Sequence, residues 1–185
     1  MSPEIAATLR ATARARRSFL VMAVPRLAGK TTVKRAILAE RPPSAPLRTI
    51  GDDGDDISGL LAESAGGYID IPEVSPGAFA PGYIWGARVR RVFAAIGETV
   101  ALAVALHAPD PDEAFAIIGR GCGVPDEDAA KISLTVYLRS LGDWREPTRR
   151  VVAAVHEIAG VQNARPLTKE LFRWDERGDR YRSSG

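Results

Sequence analysis

"FLVMAVPRLAGKTTVKRAIL", residues 19–38, sets an apolar run, a turn carrying Gly29, Lys30, Thr31 and Thr32, and a helix-forming segment in direct succession. A phosphate-binding loop needs that order: a strand, a glycine-bearing turn, then a helix whose first amides face the phosphates. Gly29 can bring its amide up to an oxyanion, and Lys30 would reach the β- and γ-phosphates. Thr31 would ligate magnesium, and Thr32 would help cap the helix. Pro25, Arg26, Leu27 and Ala28 complete the segment that would wrap ATP or ADP. The pattern G-x-x-x-x-G-K-[ST] opens on glycine, whereas Val24 stands there, and Pro25 and Leu27 stiffen a turn that usually needs freedom. A Gly-Lys-Thr triplet alone arises by chance. The strand before it and the helix after it favour a nucleotide loop, working or recently so.

Outward from this loop, strands and helices alternate. Residues 3–17 read as a helix capped by Ser2, with Pro3 at its first position and Ile5, Leu9 and Ala13 on one stripe. "SFLVMAV" reads as a buried strand, and Thr31 to Glu40 as a helix stopped by Pro42 and Pro43. "LRTI", "GGYIDI" and "GYIWGA" read as strands, with the acidic "GDDGDD" as a loop and "PEVSPGAFAP" as a Pro/Gly-rich connection. Residues 89–96 read as a helix, "TVALAVALHA" as a strand, "DPDEAFAIIGRG" as a helix capped by Asp110, and "DEDAAKIS" as a further helical turn or two. "LTVYLRSL" and "RRVVAAVHEIAG" then form a β-hairpin pair. This alternation predicts an α/β fold: a mostly parallel central sheet covered by helices, with an antiparallel C-terminal addition.

With 185 residues, 45% of them hydrophobic, the chain suits one domain over 1–185. No apolar run reaches membrane-spanning length and the N-terminus lacks a signal-like apolar region, so a cytoplasmic location is expected. The single Cys122 and the absence of Cys/His clusters predict neither a disulfide nor a structural zinc. Arginines gather at both ends (Arg10, Arg14, Arg16 and Arg17; Arg173, Arg177, Arg180 and Arg182). Such short clusters are more often solvated faces than nucleic-acid sites, and nucleic acid is the partner this composition supports least.

From Arg17 to Tyr181 the chain resembles the type II/IV secretion-system and pilus motor ATPases, which have a RecA-like P-loop core. "TIGDD", residues 49–53, is similar to that family's acidic box, and "PGYIWGARVR", residues 81–90, to its Walker B segment. "IGETVALAVALHAPDPDEAF", residues 96–115, resembles its histidine box, with Gly97-Glu98 where Gly-His is usual. "RRVVAAVHEIAGVQNARPLTKELFRWD", residues 149–175, follows the closing pattern over a long stretch. The resemblance implies ATP or ADP with Mg2+ as cofactors, and a secretion or pilus assembly protein as a partner. Larger members carry a separate N-terminal domain, so a core-only relative is expected, monomeric or weakly dimeric by itself.

The same alignment sets the Walker B glutamate at or beside Ala87, whose methyl group cannot hold an ion or accept a proton. Weak or lost hydrolysis is therefore expected. Asp52 or Asp53 could stand in as catalytic acids, or could be an exposed acidic turn. His107 reads as a γ-phosphate sensor by its "LHAPDPDEAF" context, against the plainer reading of a strand-edge histidine. Arg88, Arg90 and Arg91 could act as arginine fingers, though covering a helix face is the simpler role. His156, Trp85, Tyr83, Trp144 and Trp174 read as structural. Two rivals remain: an active ATPase using Asp52, Asp53 or Glu98, and a non-enzymatic module that keeps the fold without nucleotide.

Overall fold

Ser18–Ala23 (β1) is buried along its whole length, a pattern suited to a strand covered on both faces of a sheet. Alternation divides its side chains: Phe19, Val21 and Ala23 enter one apolar cluster, and Leu20 and Met22 enter the other. The computed structural model describes residues 1–25, 27–51, 56–77, 81–97, 99–143 and 145–183. The further strands are Leu47–Thr49 (β2), Tyr68–Val74 (β3), Tyr83–Ile84 (β4), Ala101–Leu106 (β5), Ile132–Gly142 (β6), Pro147–Gln162 (β7), Arg165–Asp175 (β8) and Arg180–Ser183 (β9). They form one sheet in the order β2-β3-β5-β1-β6-β7-β8-β9, with β4 beside β3. Every pairing from β2 to β6 is parallel, and β6 to β9 pair antiparallel. The sheet is thus mostly parallel at its core with an antiparallel C-terminal addition, as the alternation of elements predicts.

Helices Pro3–Arg14 (α1) and Lys30–Ala39 (α2) contribute Ile5, Leu9, Ala13, Ile37 and Leu38 to the cluster on one face. Ala87–Ala95 (α4) and Pro111–Ala116 (α5) contribute Val89, Val92, Phe93 and Phe115 to the other. Two expected caps are present: Ser2 Oγ accepts from the Ile5 amide at 3.4 Å, and Asp110 accepts from Glu113 at 2.9 Å. Helix α1 ends three residues before the predicted Arg17, because Arg16 takes a left-handed turn (φ 53°) into β1. The helix predicted from Asp110 to Gly121 divides into α5 and a π-helical segment, Ile117–Gly121.

Elsewhere the differences have local causes. Ile57–Glu63 (α3) was not anticipated; it starts because Asp56, the last acid of "GDDGDD", accepts from the Ser58 and Gly59 amides at 3.0 and 3.1 Å. The strand expected over "GYIWGA" shrinks to Tyr83–Ile84, since Gly86 (φ 58°) turns the chain into α4. Conversely, β3 runs on through Pro72 to Val74. Its pairing with β5 shifts register between Ile71 and Val74, an irregularity that accommodates a residue with no amide to donate.

Lys34, on α2, is buried against β3, with its Nζ 2.5 Å from Asp70 Oδ1 and donating to the Ile71 carbonyl at 2.6 Å. Burial pulls this ammonium below the ordinary lysine range, and Asp70 opposes the shift. Removing one partner strands the other charge. Lys34→Met should therefore cost roughly 3 to 5 kcal/mol of unfolding free energy, whereas adding Asp70→Leu should recover most of the loss. Urea denaturation of the single and double variants measures both; a double variant as unstable as the single would show that the pair contributes more than mutual compensation.

Candidate functional site

Strand β1 delivers the chain to the loop at the carboxyl end of the sheet, where α/β folds gather their ligands. Leu27 (φ 66°) and Gly29 (φ 95°) both take left-handed backbone conformations, ordinary for glycine and costly for leucine. Gly29 occupies the cap position of α2, and no side chain caps the helix's first turn. The opening amides of α2 therefore lack an intrahelical acceptor and suit an anion. The loop borders a cleft of about 790 Å³ whose walls include residues 27–33, Glu73, Tyr83, His107, Leu138 and Arg150 to Val152.

Three charged or titratable side chains meet at its floor. The Lys30 Nζ lies 3.0 Å from His107 Nε2 and 3.2 Å from Nδ1, and 3.4 Å from Glu73 Oε2. His107 Nδ1 is also 3.2 Å from the Ala23 carbonyl at the end of β1. With Nδ1–H donating to that carbonyl, Nε2 becomes the acceptor for the Lys30 ammonium. Glu73 is 5% exposed, and its Oε1 is buried with no hydrogen bond among the described residues, 3.9 Å from His107 Nε2.

Topology explains this meeting. Strand β5 lies between β1 and β3, so Lys30 after the loop that follows β1, His107 just beyond β5 and Glu73 near the end of β3 converge at the carboxyl ends of three neighbouring parallel strands. The sequence reading brings Lys30 and His107 together by resemblance but omits Glu73, having ended the strand at Ile71 and given Pro72-Glu73 to a connecting loop. A usable signal was present: an acid just after the apolar run "YIDI", at the carboxyl end of a strand.

Of the other predicted site residues, Pro25, Leu27, Ala28, Gly29, Thr31 and Thr32 form the described part of the loop and the first turn of α2. Arg26, Asp52, Asp53 and Glu98 lie outside the described residues, as does Trp144. Ala87 opens α4 and does not line the cleft. Arg88 is buried at the start of that helix, while Arg90 and Arg91 are exposed on it. His156 is buried in β7, 3.7 Å from Glu170, and burial lowers its pKa. Several of the terminal arginines pair with acids: Arg10 and Arg14 with Glu40, Arg17 with Glu157, Arg173 with Glu170, and Arg180 and Arg182 with Asp175. No helix among the described residues is long and apolar enough to cross a membrane.

No protein-family profile matches the chain, and no curated protein does. Solved structures do. One is the VirB11 ATPase of the Brucella suis type IV secretion system, crystallised with sulphate, at a TM-score of 0.55 and 17% identity over 82% of this chain. The chain spans about half of that protein, 51% of its length. At this identity the likeness is one of fold.

The buried ion pair has a consequence for the free protein. Lys30→Ala would leave the Glu73 carboxylate buried without its cation, so it should lower stability by roughly 3 kcal/mol at neutral pH. Adding Glu73→Gln should restore a large part. Denaturant midpoints without nucleotide check this, and equal midpoints for the parent and Lys30→Ala would show the pair to be energetically idle.

Proposed function

We propose that this chain binds a nucleoside di- or triphosphate, ATP or ADP, with Mg2+ in the cleft above α2. The observation that carries the reading is the convergence of Lys30, Glu73 and His107 beside a helix N-terminus with no side-chain cap. The amides from Gly29 onward would take phosphate oxygens, and Lys30 would exchange its contacts with Glu73 and His107 for the β- and γ-phosphates. His107, tied to the end of β1, would then sense what Lys30 holds.

The residues present suit a small hard cation. Thr31 offers a hydroxyl, Glu73 a carboxylate with an oxygen that accepts no described hydrogen bond, and magnesium typically takes few protein ligands beside phosphate and water. Bound there, the ion would neutralise charge on the phosphates.

The expectation of weak hydrolysis rests on Ala87, which opens a helix away from the cleft. Glu73 supplies a carboxylate where Ala87 does not, and this favours a second reading in which the chain hydrolyses ATP, Glu73 orienting or deprotonating the attacking water. A partner from a secretion or pilus assembly remains part of the proposal, on the likeness of fold alone.

Saturating ADP and Mg2+ should raise the unfolding temperature by on the order of 5 to 10 °C, the mass-action effect at about a hundred times the dissociation constant. The Lys30→Ala/Glu73→Gln variant should show none of that rise, and an unmoved parent would eliminate nucleotide binding. Phosphate release separates the two readings. Turnover of about 1 to 100 per second that falls at least about a hundredfold in Glu73→Gln identifies an ATPase, while binding without turnover identifies a nucleotide-dependent module.

A further inference from the structure

The antiparallel addition reaches the phosphate loop. Arg150, on β7, donates from Nε to the carbonyl of Leu27 at 2.9 Å across 123 residues of sequence. Its Cδ lies 3.3 Å from where a β-carbon on Gly29 would stand, so the arginine stem packs over the turn that opens α2. Arg150 itself is exposed at the mouth of the cleft.

The bond falls on the strained point of the loop. Leu27 holds φ 66° and is 57% exposed, so apolar burial does little to stabilise that conformation. A leucine there tends to relax toward negative φ, which would swing its carbonyl and re-aim the amides that follow. Strained backbone of this kind persists where its surroundings over-determine it. Arg150 provides such a constraint, with a charged donor on the carbonyl and a stem against Gly29.

We infer that Arg150 is a positioning residue for the phosphate loop: its bond to the Leu27 carbonyl keeps the loop in the anion-binding conformation, so the C-terminal strands set the site's affinity for a nucleoside phosphate. The inference rests on the proposed nucleotide reading for its ligand, but not for the clasp itself, which exists in the free protein. It also gives the strand pair β6 and β7 a role beyond closing the sheet. Arg150 pairs with Ser140 in that ladder, so any displacement of the ladder would move the guanidinium off the loop.

Two measurements on the full chain test this separately. In nucleotide-free protein, amide hydrogen exchange over residues 24–33 should rise about tenfold in Arg150→Ala and in Arg150→Lys, which keeps the charge but lacks Nε–H; unchanged exchange would overturn the clasp. Titration with ADP and Mg2+ should show about tenfold weaker binding in Arg150→Ala, and the loss should shrink severalfold in a Leu27→Gly background, where glycine holds the left-handed conformation unaided. A loss that stays the same in that background would show Arg150 acting directly on the nucleotide and would overturn the positioning role. Arg150 is exposed, so the variants should fold; if Arg150→Ala does not, Arg150→Lys carries both readouts. A parent that binds no ADP would defeat the nucleotide reading, while the exchange measurement would still decide the clasp.

Discussion

The placement of β1 between two parallel neighbours is the constraint from which the rest of the structure follows. Strand β1 pairs with β5 on one side and β6 on the other, and both of its faces are covered by helices or loops. With hydrogen bonds satisfied on both edges and side chains buried on both faces, little freedom remains in where its carboxyl end emerges. The loop that leads into α2 begins at that end. Its position relative to His107 is fixed by the register of β1 with β5, in which Met22 faces Leu106, the residue before the histidine.

Two lysines on α2 are drawn toward the same strand from different heights. Lys34 meets Asp70 and the Ile71 carbonyl, and Lys30, one helical turn earlier, meets Glu73. Helix α2 is thereby tied to β3 across β5 by two charge contacts in poorly solvated surroundings. Such pairs add little net stability compared with apolar packing, but they penalise any arrangement that separates them. In the lower pair both partners are committed to structure. In the upper pair the lysine stands at the edge of a cleft, where an anionic ligand could replace the carboxylate.

The C-terminal strands extend the sheet antiparallel beyond its parallel core. They form a wall of the cleft with Leu138, Val151 and Val152, and Arg150 reaches from that wall to the loop. On their outer part, Trp174 stacks beneath Arg139 and Arg149 at 5.9 and 5.8 Å and donates to Asp179 at 3.0 Å. This small cluster includes Val151 and Ala153, so the packing that stiffens the end of the sheet lies next to the residue that touches the loop.

Local chemistry was enough for the sequence to determine β1, the loop, α2, the caps at Ser2 and Asp110, and the antiparallel pairing of β6 with β7. An apolar run, a glycine before a helix, or an oxygen before a first turn acts over a few residues, and the chain order states it directly. The resemblance also led to His107. Glu73 was missed, although an acid just beyond the apolar run "YIDI" hinted at it. Proline beside it argues against a strand interior, and only the register shift against β5 lets β3 continue and carry that carboxylate to the cleft. The strand expected over "GYIWGA" was cut short for a complementary reason: it ends at Ile84, and Gly86 turns the chain into α4. Arg150 is one arginine among many in the sequence. Its contact with Leu27 depends on how β7 lies beside β6 and β6 beside β1; the second pairing joins residues more than a hundred positions apart, and a distance of that kind is set by the packed sheet rather than by any local pattern.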